Sequence, residues 1–134
     1  MQELNQLRFA KTHEWIAPDG TVGISDHAQK EVTDVVFVEL PSAGKAAEKE
    51  GELATIESVK AAFPIYAPVA GKVAAVNGKI SKNPELVNKS PYGEGWLFKI
   101  AVSDPKDLKS LMTHDQYQEF LKTEAARINK AVWL

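Results

Sequence analysis

Apolar and polar residues alternate with a period of two through most of the chain and change to a helical spacing only near its end. Two β-forming runs within 15–24 flank Pro18-Asp19-Gly20, where proline presets φ and glycine accepts a positive one, so a hairpin is predicted. Asp26 and Gln29 have the form of a capping box and open a short helix over about 26–31. Residues 35–40 are a β-branched and aromatic run stopped by Pro41, hence a strand. A polar connection over 43–51, bounded by Gly44 and Gly51, precedes a strand over 53–58. That strand sets Leu53, Thr55 and Glu57 on one face and Ala54, Ile56 and Ser58 on the other. Residues 65–67 lie between Pro64 and Pro68; proline lacks a ladder N–H, which places this piece at a sheet edge or at strand ends. Residues 71–76 form a further strand, and Asn77-Gly78 after it signals a hairpin. A looser stretch over 81–95 leads to a last strand over 96–102.

The end of the chain reads differently. Asp104-Pro105 places an N-cap before a proline at the first helical position. Thr113 with Gln116 opens a second capped helix, whose Tyr117, Phe120 and Leu121 follow the i, i+3, i+4 spacing. Trp133 suggests that the last residues dock. One weak repeat stands out: Gly51-Glu52-Leu53-Ala54-Thr55-Ile56 echoes Gly71-Lys72-Val73-Ala74-Ala75-Val76, and Lys60 lies between the two copies. A pseudo-symmetric sandwich with that lysine at the joining turn is expected.

Composition narrows the function. Basic and acidic side chains number 16 and 18 among 134 residues, a net charge of −2. A chain of this length buries about two-thirds of its surface, enough for one core. A single domain is expected over 1–134, with a β body over about 7–103 and a helical segment over about 104–134. No basic cluster marks a nucleic-acid face. No apolar run approaches the ~18 residues of a membrane span, and the N-terminus lacks the layout of a secretion signal. Neither nucleic acid nor membrane is an expected partner, and the expected location is the cytoplasm; a mitochondrial form trimmed after import fits the same sequence. Cysteine is absent, so any sulfur redox chemistry has to arrive on an attached group.

The usual catalytic signatures are missing. His13, His27 and His114 are not at metal-ligand spacing and read as ordinary surface or capping histidines. Tyr92-Gly93-Glu94-Gly95-Trp96 lacks the third glycine of a dinucleotide fingerprint and reads as a tight turn entering a strand. What remains is Glu57-Ser58-Val59-Lys60-Ala61. A bare Glu-x-x-Lys is most often a helical ion pair, but here a strand precedes it and Phe63-Pro64 would stop a helix. Lys60 is therefore expected near the tip of a β-turn, where a modifying enzyme can grasp it. Acylation there turns an ammonium into a neutral amide.

These residues belong to a wider set. His13-Glu14-Trp15, Val38-Glu39-Leu40-Pro41, Glu57-Ser58-Val59-Lys60-Ala61, Tyr66-Ala67-Pro68-Val69-Ala70-Gly71, Pro84-Glu85-Leu86-Val87-Asn88 and Pro91-Tyr92-Gly93-Glu94-Gly95-Trp96 occur in one order and spacing. Together, from about Leu7 to about Leu121, they closely resemble the H protein of the glycine cleavage system. The resemblance implies a mainly β, lipoyl/biotinyl-type barrel-sandwich hybrid with a short inserted helix and C-terminal helices. It also implies a covalent carrier rather than an enzyme, with lipoic acid in amide linkage to Lys60. On that arm an aminomethyl group would pass from a pyridoxal-phosphate glycine decarboxylase to a tetrahydrofolate-dependent aminomethyltransferase. A flavin- and NAD-dependent dihydrolipoyl dehydrogenase would then reoxidise the dithiol. A lipoate ligase or an octanoyl/lipoyl transferase would attach the group.

Further positions follow from the same resemblance. Glu57, Gly71 and Gly44 match residues presented to the lipoylating enzymes. Thr12 and Glu14 match residues lining a cleft that shields the loaded arm, where a carboxylate would pair with the cationic amine. Phe63-Pro64 departs from the Ser-Asp typical after the lipoyl turn, removing one anion; Phe63 is expected to offer its face to the dithiolane ring. Biotin carriers favour methionine on both sides of the lysine, whereas Val59 and Ala61 stand here. A lipoyl-relay donor to other enzymes and an unmodified interaction module are the alternative readings.

Overall fold

The computed structural model describes residues 2–127. A 3-10 turn, Leu4–Gln6, precedes β1 (Arg8–Phe9), β2 (Glu14–Ile16) and β3 (Thr21–Ile24). Helix α1 (Asp26–Val32) leads to β4 (Val35–Glu39), β5 (Ala46–Ala47), β6 (Glu52–Ser58), β7 (Ala62–Tyr66) and β8 (Gly71–Val76). Short helices α2 (Lys79–Lys82) and α3 (Leu86–Lys89) come before β9 (Phe98–Val102), a 3-10 segment (Pro105–Ser110) and α4 (His114–Arg127). The expected docking of Trp133 lies outside the described residues.

The strands form two antiparallel sheets, six-stranded in the order β1-β2-β3-β9-β8-β5 and three-stranded in the order β4-β6-β7. One core serves both: Val22, Val73, Phe98 and Ile100 from the larger sheet join Val38, Ile56, Phe63 and Ile65 from the smaller. A second cluster of Leu7, Phe9, Trp15, Ala17 and Tyr117 fills the space where α4 covers β1. Strand β2 is buried on both faces, Ile16 facing the main core and Trp15 the second.

Local sequence explains most elements. Pro18-Asp19-Gly20 makes the β2–β3 hairpin; Gly20 has φ +93°, and a Cβ there would lie 2.0 Å from the Ile100 carbonyl oxygen. Asp104 caps the 3-10 segment through Lys106 N–H (3.0 Å) with Pro105 inside its first turn. Thr113 and Gln116 exchange both capping-box bonds, at 2.9 and 3.2 Å. β7 is an edge strand, as Pro64 within it requires. The echoing runs fall one in each sheet, but the Lys60 turn joins β6 to β7 rather than to β8.

Several expectations are corrected. The α1 cap is Ser25, whose Oγ accepts from Ala28 N–H at 3.1 Å; Asp26 is already helical and takes the Gln29 side-chain amide at 2.9 Å. Asn77-Gly78 makes no hairpin. Asn77 is buried, donating to Glu94 O (2.7 Å) and Trp96 O (2.8 Å) and accepting from Lys79 N–H (3.2 Å), so it anchors the start of α2. Leu53 is buried beside Ala54, because the β6–β7 register shifts between Glu52 and Ala54 and breaks the alternation. Phe63 pairs with Ile56 and is buried in the core, so its ring offers no face to an exposed group.

Candidate functional site

Lys60 occupies the turn between β6 and β7 and is exposed. Ser58 makes that turn: its N–H donates to Ala61 O at 2.9 Å, while its hydroxyl accepts from Lys60 N–H (3.0 Å) and Ala61 N–H (3.2 Å). A serine that takes up turn N–H groups in this way closes a turn without a positive φ. The turn is also tied to the last turn of α1 and to the residues that follow it. Val59 N–H donates to Asp34 O at 3.0 Å, and Lys60 Nζ donates to Glu31 O at 3.2 Å.

The segment that receives these bonds is fixed by Asn88, which the sequence offered only as the last residue of a motif. Asn88 Oδ1 accepts from Val35 N–H at 2.9 Å, and its Nδ2 donates to Thr33 O at 2.7 Å and to Gln29 Oε1 at 3.2 Å. Thr33, a β-branched residue, is held at φ 67°, ψ −154°, a conformation otherwise kept for glycine. Asn88 thus locks the corner on which the lysine turn rests.

Glu57 stands on the same hairpin, exposed, opposite Phe37 on one side and Ala62 on the other. Gly44 and Gly71 are together elsewhere, along the β5–β8 ladder. Gly44 N–H donates to Val73 O at 2.7 Å, and Gly71 pairs with Ala47 and Val102. Gly71 has no room for a side chain, since a Cβ would lie 2.2 Å from Ala101 O; Gly44 has open space but φ +91°.

Thr12 and Glu14 meet at the other end of β7. Glu14 Oε2 accepts from Tyr66 N–H at 2.9 Å, and the Thr12 hydroxyl donates to Oε1. Glu14 is 1% exposed, and burial pushes its carboxyl up to about 7 against the lowering effect of those hydrogen bonds. Thr12 and Tyr66 line a cavity of about 450 Å³ that Lys11, Lys49 and Glu50 also border. Glu14 lies behind this lining rather than in it.

The histidines divide. His13, expected at the surface, is 2% exposed, with Nδ1 2.7 Å from the Tyr117 hydroxyl. Burial, then the neighbouring His27, lowers its pKa to about 4. The Tyr117 hydroxyl also meets Ser25 Oγ at 2.7 Å, so this contact joins α4 to the start of α1. His114 packs against Phe9. Among the described residues no cluster of three or more metal-ligating side chains occurs, and no helix is long and apolar enough to cross a membrane.

Comparison with known proteins gives one consistent answer. Residues 7–124 match the family model described as glycine cleavage H-protein. A glycine cleavage system H protein of Thermotoga maritima is 48% identical over 124 residues, covering 90% of this chain and all of that one. Its counterpart in Thermus thermophilus is 51% identical over 120 residues, covering 87% of this chain and 94% of that one. The crystal structure of a glycine cleavage system H protein from Mycobacterium marinum superposes with a TM-score of 0.80 at 29% identity, over 88% of this chain and 98% of that one. The fold is thus the lipoyl-domain-like barrel-sandwich that the motifs implied. The chain belongs to the glycine cleavage H-protein family, the lipoate-bearing carriers of the glycine cleavage system, and is a carrier rather than a catalyst.

Proposed function

We propose that the chain acts as one carrier domain with Lys60 as its point of lipoyl attachment. The arm moves an aminomethyl group from the pyridoxal-phosphate glycine decarboxylase to the tetrahydrofolate-dependent aminomethyltransferase, and dihydrolipoyl dehydrogenase reoxidises it. The observation that carries this reading is the display of Lys60: exposed, on a tight turn whose main chain is held by Ser58 and by Asp34 O. The Nζ bond to Glu31 O belongs to the unloaded lysine, and it opens when the arm lies along β7, on the other side of β6 from β4. Bound lipoate supplies the reversible sulfur chemistry, and the absence of cysteine leaves no protein thiol to compete in exchange.

The remaining site residues take supporting roles in this proposal. Glu57, Gly44 and Gly71 serve recognition by the enzyme that lipoylates Lys60, a lipoate ligase or an octanoyl/lipoyl transferase. Thr12 and Glu14 receive the far end of the arm. A lysine-borne arm of this length extends roughly 14 Å, and β7 from Ala62 to Tyr66 runs about 13 Å. An arm laid along β7 from the preceding turn therefore runs toward the carboxyl that grips Tyr66 N–H. With a pKa of about 7, that carboxyl gives up its proton readily when an ammonium arrives.

Intact mass after incubation with lipoate ligase, ATP and lipoate tests the assignment. The wild type gains one lipoyl group and Lys60→Arg gains none, with peptide mapping locating the adduct. A gain that persists in Lys60→Arg overturns the assignment.

A further inference from the structure

Three large apolar side chains stand exposed among the described residues: Val36 (53%), Phe37 (49%) and Val59 (70%). All three adjoin the Lys60 turn. Val59 precedes the lysine and bonds through its N–H to Asp34 O, next to β4. Phe37 sits on β4 directly opposite Glu57. The cause is a register shift between Val35 and Phe37, which turns two successive apolar residues outward where alternation would bury one. Such concentration marks a contact surface rather than ordinary scattered exposure.

The chemistry of the rim is equally one-sided. Phe37, Glu57 and Ala62 form one cross-strand row on the outer face of the small sheet, and Glu39, Thr55 and Pro64 form the next. Glu39 and Glu57 are exposed, as is Asp34, and none of the three joins an ion pair among the described residues. No lysine or arginine shares these rows. The surface complements a partner that offers an apolar recess bordered by basic side chains.

We infer that this face docks the enzyme that acylates Lys60, which reads Phe37 and Val59 together with Glu57. The inference rests on Lys60 being the attachment point. Reach selects this occupant over those that act on the loaded arm. Nζ lies about 6 Å from its Cα, whereas the reacting end of the arm lies roughly 14 Å away. An enzyme working at the far end need not touch the turn; one that forms the amide must close over it. In that step Nζ sheds two protons, and its lone pair forms the new N–C bond with an activated acyl donor, a mixed anhydride or a thioester. The leaving group departs with the electron pair of the bond that breaks. Burial of Val59 and Phe37 against the enzyme fixes the approach, and Glu57 meets a basic group.

The test follows acylation by purified lipoate ligase, with intact mass as readout, over a range of carrier concentration. Phe37→Ser and Val59→Ser should each raise the KM for carrier at least fivefold, and the double variant more, with kcat within twofold of wild type and an unchanged melting temperature. Phe37→Leu should restore most of the loss. When wild type and Phe37→Ser are both lipoylated before purification, dihydrolipoyl dehydrogenase should reduce the two at the same rate. Hydrogen exchange on the wild type should show protection of 35–38 and 58–61 when ligase is added. An unchanged KM in the double variant overturns the inference, as does equal impairment at the dehydrogenase step. A wild-type dimer that buries Phe37 also overturns it. Lys60→Arg, run in parallel, separates these outcomes from failure of the attachment site itself.

Discussion

His13 and Glu14 are consecutive, both buried, and hold protons in opposite senses: His13 releases its proton down to a pKa of about 4, and Glu14 keeps its own up to about 7. His13 binds less tightly to its proton folded than unfolded, so its stabilisation is complete above pH 6.5 and is lost as pH falls toward 4. Glu14 does the reverse. Its favourable contribution is complete below pH 4.5 and is lost as pH rises through 7.

Between about pH 4.5 and 6.5 these two slopes oppose each other, so their joint contribution to stability is flat there. Glu14→Gln should unmask the histidine, giving stability that climbs with pH across this window. At pH 8 it should be more stable than wild type by on the order of 1–3 kcal/mol, because a buried charge is gone. Denaturant unfolding at about pH 4.5, 6.5 and 8 reads this; an unaltered pH profile would contradict it.

The same variant should lose function while gaining stability. With no carboxylate to pair with the ammonium of the cargo, spontaneous release of the aminomethyl group from loaded Glu14→Gln protein should quicken several-fold. Equal release rates would leave Glu14 with a purely structural part.

Asn88→Ala removes the clamp on the Thr33–Asp34 corner and leaves the part-buried Val35 N–H without its acceptor. A loss of about 2–3 kcal/mol is expected. Hydrogen exchange at Val59, whose N–H bonds to Asp34 O, should accelerate more than at Ile56 in the same hairpin.

Alanine at Gly71 and at Gly44 should separate their causes. Gly71→Ala collides with the Ala101 carbonyl and must shift the β8–β9 pairing, costing about 3 kcal/mol or more. Gly44→Ala meets open space and only the strain of its positive φ, about 1 kcal/mol. Thermal unfolding of the pair checks the order.

What the sequence made legible was local. Pro18-Asp19-Gly20, Asp104-Pro105 and the Thr113–Gln116 box each carry their geometry in three or four residues, and each took the expected form. The Lys60 turn was legible for the same reason. Asn77-Gly78 misled because tertiary partners, the Glu94 and Trp96 carbonyls, claimed the asparagine side chain. His13 misled because its burial depends on Tyr117, far along the chain. Register shifts in β4 and β6 left no trace in the pattern, so the outward pair Val36 and Phe37 and the buried Leu53 could not be foreseen.

The two struts beneath the lysine turn end on main-chain oxygens, those of Asp34 and Glu31. Every residue type carries such an oxygen and every type but proline the N–H that Val59 gives, so these bonds do not depend on which other side chains decorate positions 31, 34 and 59. Side chains in that neighbourhood can therefore be exchanged while the turn that displays Lys60 stays where it is.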